Sequence, residues 1–151
     1  MRKLNEKQIV LASHNKGKLK EIGHLLKPFG ISVISASDLG LDEPEETENT
    51  YAGNARIKAH FAAKASGKPA LSDDSGFSVE ILDGAPGVYS ADWAETSNGR
   101  NFSMAMSKVW DKIQHAEKPC KAKFCCTLCL AWPDGHDELF EGSINGEIAW
   151  P

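Results

Sequence analysis

Ser13, Asn15 and Lys18 follow directly on the apolar run Ile9-Val10-Leu11-Ala12 and precede a segment with helical periodicity. Where a strand feeds a helix, two polar side chains, an ammonium group and the N–H groups of a helix start make a cradle for phosphate. The segment is not a P-loop. That pattern needs Gly where Ala12 stands and Ser or Thr where Leu19 stands. The same residues could equally serve as a helix cap on a solvated loop.

A second group is Asp73-Asp74-Ser75-Gly76. Adjacent carboxylates can divide labour, one holding a divalent metal and one taking a proton from water, while Gly76 permits a positive φ. Turn formation alone would also use these residue types, so the tetrad is expected at a strand end or tight turn. A third group is the acidic stretch Asp38–Thr50, which contains Glu45, Glu46 and Glu48. One of its carboxylates could complete a Mg²⁺ site begun by Asp73 or Asp74, because Mg²⁺ takes oxygen ligands and usually shares them with substrate phosphates. Lys58 could reach a phosphate, although a lone helical Lys commonly faces solvent. Cys126 and Cys129 have zinc-like spacing, but residues three apart on a strand point to opposite faces, and no second pair stands at metal-site spacing.

These side chains need elements to hold them. Gln8–Ala12 reads as a strand and Ser13–Gly17 as a loop. Leu19, Ile22, Leu25, Leu26 and Phe29 then form the apolar stripe of a helix that stops at Gly30. Ile31–Ile34 reads as a second strand, so the order is that of an α/β unit, whose ligands gather at the carboxyl ends of strands. Thr50 is placed to cap an Ala-rich helix that runs to Ser66-Gly67. Further strands are expected at Ala70–Ser72, Phe77–Ile81, Lys121–Trp132 and Glu138–Ile144, with a helix marked by Phe102, Met106, Val109, Trp110 and Ile113. Asn145-Gly146 reads as a hairpin turn.

At 151 residues, with 41% apolar and 25% charged side chains, the chain suits a single globular domain, residues 1–151. Lys plus Arg number 17 against 21 Asp plus Glu, a net charge of −4 that argues against nucleic-acid binding through overall charge. No stretch is long and apolar enough to span a bilayer, and none resembles a signal peptide, so no membrane partner and a cytoplasmic location are expected. Cys120, Cys125, Cys126 and Cys129 are expected to remain thiols.

Taken together, the segments Leu11–Glu21, Glu45-Glu46-Thr47, Asn54–Ala59, Ser72–Phe77 and Gly84–Ala91, in this order, resemble the inosine/xanthosine triphosphate pyrophosphatase family across nearly the whole chain. The resemblance implies an elongated, two-lobed α/β fold with a mixed twisted sheet and flanking helices. It implies Mg²⁺-dependent hydrolysis of deaminated purine nucleoside triphosphates to the monophosphate and pyrophosphate, by a homodimer. Carried over by position, Ser13, Asn15, Lys18 and Lys58 would bind the triphosphate, with Ser75 touching phosphate. Glu46 and Asp74 would hold metal or activate water, with Asp73 beside them.

The chain departs from the family pattern in having Gly53 where a Glu usually precedes Asn54, and Asp92 where Arg is common. Family members also continue beyond the position of Pro151 with aromatic, Gly-rich and Ser-His-Arg segments that read the purine. The expectation is an incomplete C-terminus in which triphosphate binding outlasts base selectivity. The alternative is a catalytically inactive remnant that binds phosphate compounds or dimerises. Septum-inhibitor-like pyrophosphatases are disfavoured by the Ser-His-Asn-Lys and Gly-Ala-Pro-Gly-Val-Tyr-Ser segments.

Overall fold

The computed structural model describes residues 1–150, which form two compact units. The first unit comprises Met1–Asp74 and Thr127–Phe140; the second comprises Ser75–Cys126 and the chain from Glu141.

In the first unit, β1 (Gln8–Leu11) pairs in parallel with β2 (Ser32–Ser35) on one side and with the start of β3 (Ala70–Val79) on the other. The full sheet order is β2-β1-β3-β7-β8, where β7 is Lys121–Ala131 and β8 is Asp137–Glu147. Ile9, Val10 and Leu11 are buried, as expected of a strand with neighbours on both edges. The order strand, helix, strand is fulfilled by α1 (Lys16–Leu26), which runs into a 3₁₀ turn at Lys27–Phe29 and stops at Gly30, φ 68°. Its apolar stripe covers less than its spacing suggests: no α1 residue is fully buried, and Leu25 and Phe29 remain exposed.

The Ala-rich segment forms α2 (Tyr51–Ser66), capped by the Thr50 side chain and ended by Gly67 in the left-handed region. Ala55, Ala59, Ala62 and Ala63 recur at helical spacing and are essentially inaccessible, joined in one core with Val10, Ala36, Ala70, Cys129 and Ala131. Small side chains on this face let the helix backbone lie close to the strands. The Ser72 hydroxyl uses that closeness to donate to the Ala55 carbonyl at 2.5 Å.

In the second unit, residues of β3 pair antiparallel with β4 (Pro86–Gly87), and α3 (Ser90–Trp93), β5 (Glu95–Thr96) and β6 (Gly99–Arg100) lead to α4 (Phe102–Ile113). Val109 and Ile113 of α4 are buried with Val79, Cys120 and Ala122, whereas Phe102 and Met106 of the same stripe are exposed.

Three local expectations are corrected. Asp73-Asp74-Ser75-Gly76 is neither a strand end nor a turn but the middle of β3, with no positive φ at Gly76. Residues 70–74 alternate buried and half-buried, the period of a paired strand, and ladder pairing overrides the turn preference of Asp, Ser and Gly. β3 also ends sooner, with Glu80–Leu82 in a 3₁₀ turn that closes through Asp83 at φ 52°. Asn145-Gly146 lies within β8 rather than in a hairpin, again without a positive φ, because the strand continues as a partner of β7.

Candidate active site

The parallel register places the candidate residues at one end of the sheet. Leu11 pairs with Leu71, and the Ala12 N–H donates to the Leu71 carbonyl at 2.8 Å. Ser13 follows Leu11 by the same two residues as Asp73 follows Leu71, so both stand at the carboxyl side of this pairing. The acidic segment leaves the carboxyl end of β2 and leads into α2.

The loop after β1 turns sharply. The Ser13 hydroxyl accepts from the Asn15 N–H at 3.1 Å, and Asn15 Oδ1 accepts from Gly17 N–H at 2.8 Å and Lys18 N–H at 3.2 Å. Asn15 is therefore the N-cap of α1, and its Nδ2 is the group suited to an added anion. With the first turn fixed in this way, Lys18 reaches β3, and its Nζ donates to Asp73 Oδ2 at 2.6 Å.

A second pair joins Lys58 to Glu46 at 3.0 Å. The Lys58 side chain is only 9% exposed, so its ammonium depends on a charged partner, and the acidic loop supplies one. Asp74 is buried, 7% exposed, on the β3 face shared with Ser72. Ser75 is the next residue of β3, exposed, and belongs to the second unit.

Thus the first unit holds Ser13, Asn15, Lys18, Glu46, Lys58, Asp73 and Asp74, and the contacts join Lys18 to Asp73 and Lys58 to Glu46. Each lysine is neutralised by a carboxylate. A polyphosphate with its divalent cation offers both halves of each pair a new partner, anion for ammonium and cation for carboxylate. The donor set fits Mg²⁺, since Glu46, Asp73 and Asp74 provide oxygen only, and Mg²⁺ characteristically uses one or two carboxylates plus phosphate. Among the described residues no three His, Cys, Asp or Glu side chains are grouped so as to hold a metal ion.

One residue of this region was quoted in the sequence as part of a motif but given no role. Asn54, 2% exposed on α2, accepts from the Glu48 N–H at 2.9 Å and donates to the Glu48 carbonyl at 3.1 Å. The signal for it was an amide side chain in the first turns of an otherwise Ala-rich helix face. A separate ion cluster gathers on Asp137, which accepts from His60 Nε2 at 2.8 Å and from Arg56 Nε at 3.1 Å. Burial alone would raise the Asp137 carboxyl, but the hydrogen bonds from His60 and Arg56 outweigh it and hold the group below its ordinary range. The nearby Cys129 thiol is pushed up to about 12, first by burial and then by the Asp137 charge.

Residues 9–151 match the Ham1 family. The chain is 61% identical to a dITP/XTP pyrophosphatase of Ruegeria pomeroyi over 145 residues, covering 95% of this chain and 71% of that protein. It is 57% identical to the dITP/XTP pyrophosphatase of Agrobacterium fabrum, over 100% of this chain and 73% of that one. Among solved structures, a HAM1 protein from Coxiella burnetii superposes with a TM-score of 0.88 at 35% identity, over 95% of this chain and 74% of the other. The Staphylococcus aureus Ham1 protein gives 0.84 at 34% identity, over 95% and 72%. The mixed sheet with flanking helices is thus the architecture of those proteins as well, and this chain belongs to the Ham1 family.

Proposed function

We propose that this chain hydrolyses deaminated purine nucleoside triphosphates, of the inosine and xanthosine kind, to the monophosphate and pyrophosphate. The observation that carries the reading is the pair of lysine–carboxylate contacts, Lys18 with Asp73 and Lys58 with Glu46, in one compact unit built on parallel strands. The relatives named dITP/XTP pyrophosphatase support the substrate class and the bond broken.

In this reading Lys18 and Lys58 exchange their carboxylates for phosphate oxygens, and Ser13 and Asn15 Nδ2 add hydrogen bonds. Glu46 and Asp74 would hold Mg²⁺, which would supply charge neutralisation on the polyphosphate. A water oxygen forms the new bond to phosphorus, the bond across the α–β bridge breaks, and pyrophosphate leaves with the bridging oxygen. The proton lost by the water passes to a carboxylate oxygen of Asp74 or Asp73.

The protein is further proposed to act as a cytoplasmic homodimer. Four free thiols suit a reducing compartment, and exposed apolar side chains such as Phe102 and Met106, one turn apart on α4, suit a subunit contact. Among the described residues no helix is long and apolar enough to cross a membrane. The test is pyrophosphate release from inosine triphosphate with Mg²⁺, in parallel with sedimentation of the purified chain. Monophosphate and pyrophosphate in equal amounts, from a particle of twice the chain mass, are the results expected.

A further inference from the structure

We infer that Asn54 and Gly53 form a seat that positions the acidic loop, and thereby Glu46, against Lys58; the inference rests on the function proposed above. Residues 42–49 lie outside every helix and strand and carry Asp42, Glu43, Glu45, Glu46 and Glu48, whose like charges push the segment apart. Something must hold it in place.

The buried Asn54 side chain does so, because its amide takes both backbone groups of Glu48, N–H at 2.9 Å and carbonyl at 3.1 Å. Asn is a poor helix former, and a buried amide costs free energy unless its donor and acceptor are both used. Here both are spent on the loop rather than on the helix. Four residues further along the same helix face stands Lys58, which holds Glu46 by charge. Asn54 thus fixes the loop backbone two residues from the carboxylate that Lys58 receives.

Gly53 provides the space. A Cβ at this position would lie 2.7 Å from Glu48 Cβ, 2.8 Å from Glu48 Cγ and 2.9 Å from Thr50 Oγ1. The stem of Glu48 therefore rests on the bare first turn of α2, where any side chain at 53 would lift it. Glycine weakens a helix, so its use at this position is explained by this contact rather than by helix stability. Asn54 and Gly53 are positioning residues, acting through Glu46.

The test is a substitution series read by two measurements, amide hydrogen exchange at residue 48 and the Mg²⁺ concentration giving half-maximal pyrophosphate release. Gly53→Ala favours the helix, so the protein stays folded, yet Thr50 Oγ1 must shift and Glu48 must move. Its amide is expected to lose protection while those of α2 and β3 keep theirs. Half-saturating Mg²⁺ is expected to rise about 10- to 100-fold, the usual effect of disturbing groups that orient metal ligands. Glu48→Ala combined with Gly53→Ala should remain impaired, since the 2.7 Å contact is with Glu48 Cβ itself. Glu48→Gly combined with Gly53→Ala removes both Glu48 contacts and leaves only the 2.9 Å approach to Thr50 Oγ1, so both readings should move back toward the wild type. Asn54→Ala should reproduce Gly53→Ala.

Three results would each overturn the inference: unchanged protection in Gly53→Ala, lost protection without a change in Mg²⁺ requirement, or a combination of Glu48→Gly and Gly53→Ala that performs no better than Gly53→Ala alone. Failure of the functional reading shows separately: wild-type protein would then release no pyrophosphate, while the exchange pattern at residue 48 still followed the substitution series.

Discussion

At the scale of single residues, the site is built from side chains that already have partners, and its predictions follow from who loses which partner. Asp74→Asn keeps shape and burial while removing a proposed proton acceptor and metal ligand, so turnover is expected to fall about 10²- to 10⁴-fold with the fold retained. Circular dichroism beside a pyrophosphate assay checks both parts. Lys18 is 43% exposed, and its ammonium is a charge that salt can screen. Lys18→Ala is expected to raise the KM for triphosphate about 10- to 100-fold, as loss of a charge-assisted hydrogen bond does. The penalty should shrink in high salt, where the Debye length contracts. Steady-state kinetics at two ionic strengths measure it.

At the scale of elements, α2 does most of the placing, since it carries Lys58, Asn54 and the alanine face on one helix. Ala59 is fully buried against the core of the first unit, and Ala59→Leu is expected to cost about 1 to 3 kcal/mol in urea unfolding by overpacking. The same helix is tied to the start of β8 through Asp137. The folded pKa of Asp137 lies below its ordinary value, so the stability it contributes is complete above the unfolded pKa of about 3.9 and is lost as pH falls through the folded value. Asp137→Asn should therefore remove part of the acid sensitivity of the unfolding midpoint below about pH 5.

The elements were legible in the sequence where periodicity was strong. The α2 bounds, its Thr50 cap and its Gly67 stop were readable from the alanine spacing and the flanking residues. The strand β1 with its polar exit was readable too, because apolar runs and caps are local signals. Asp73–Gly76 was misread as a turn because its residue types favour turns, whereas pairing along β3 is a property of strands distant in sequence. The apolar stripe of α1 was read correctly as helical but not as partly exposed at Leu25 and Phe29, since periodicity reports a face and not what covers it. Asn54 was named in a motif segment without a role for the same kind of reason: its partners are the backbone groups of Glu48, which carry no sequence signature.

At the scale of the whole molecule, the pattern of thiols gives an independent check on burial. Cys126 is exposed and Cys125 half-buried, whereas Cys120 and Cys129 are buried, and Cys129 is held protonated with its pKa at about 12. Iodoacetamide on the native protein is expected to label Cys126 first and to spare Cys120 and Cys129 until denaturant is added, as read by peptide mass spectrometry. Family membership rests on a match over residues 9–151, and the site chemistry rests on contacts within one compact unit.

The most direct measurement is product analysis of inosine triphosphate incubated with Mg²⁺ and either the wild-type chain or Asp74→Asn. The account predicts monophosphate and pyrophosphate from the wild type and almost none from the variant. Orthophosphate as the first product, or equal rates from the two proteins, would contradict it.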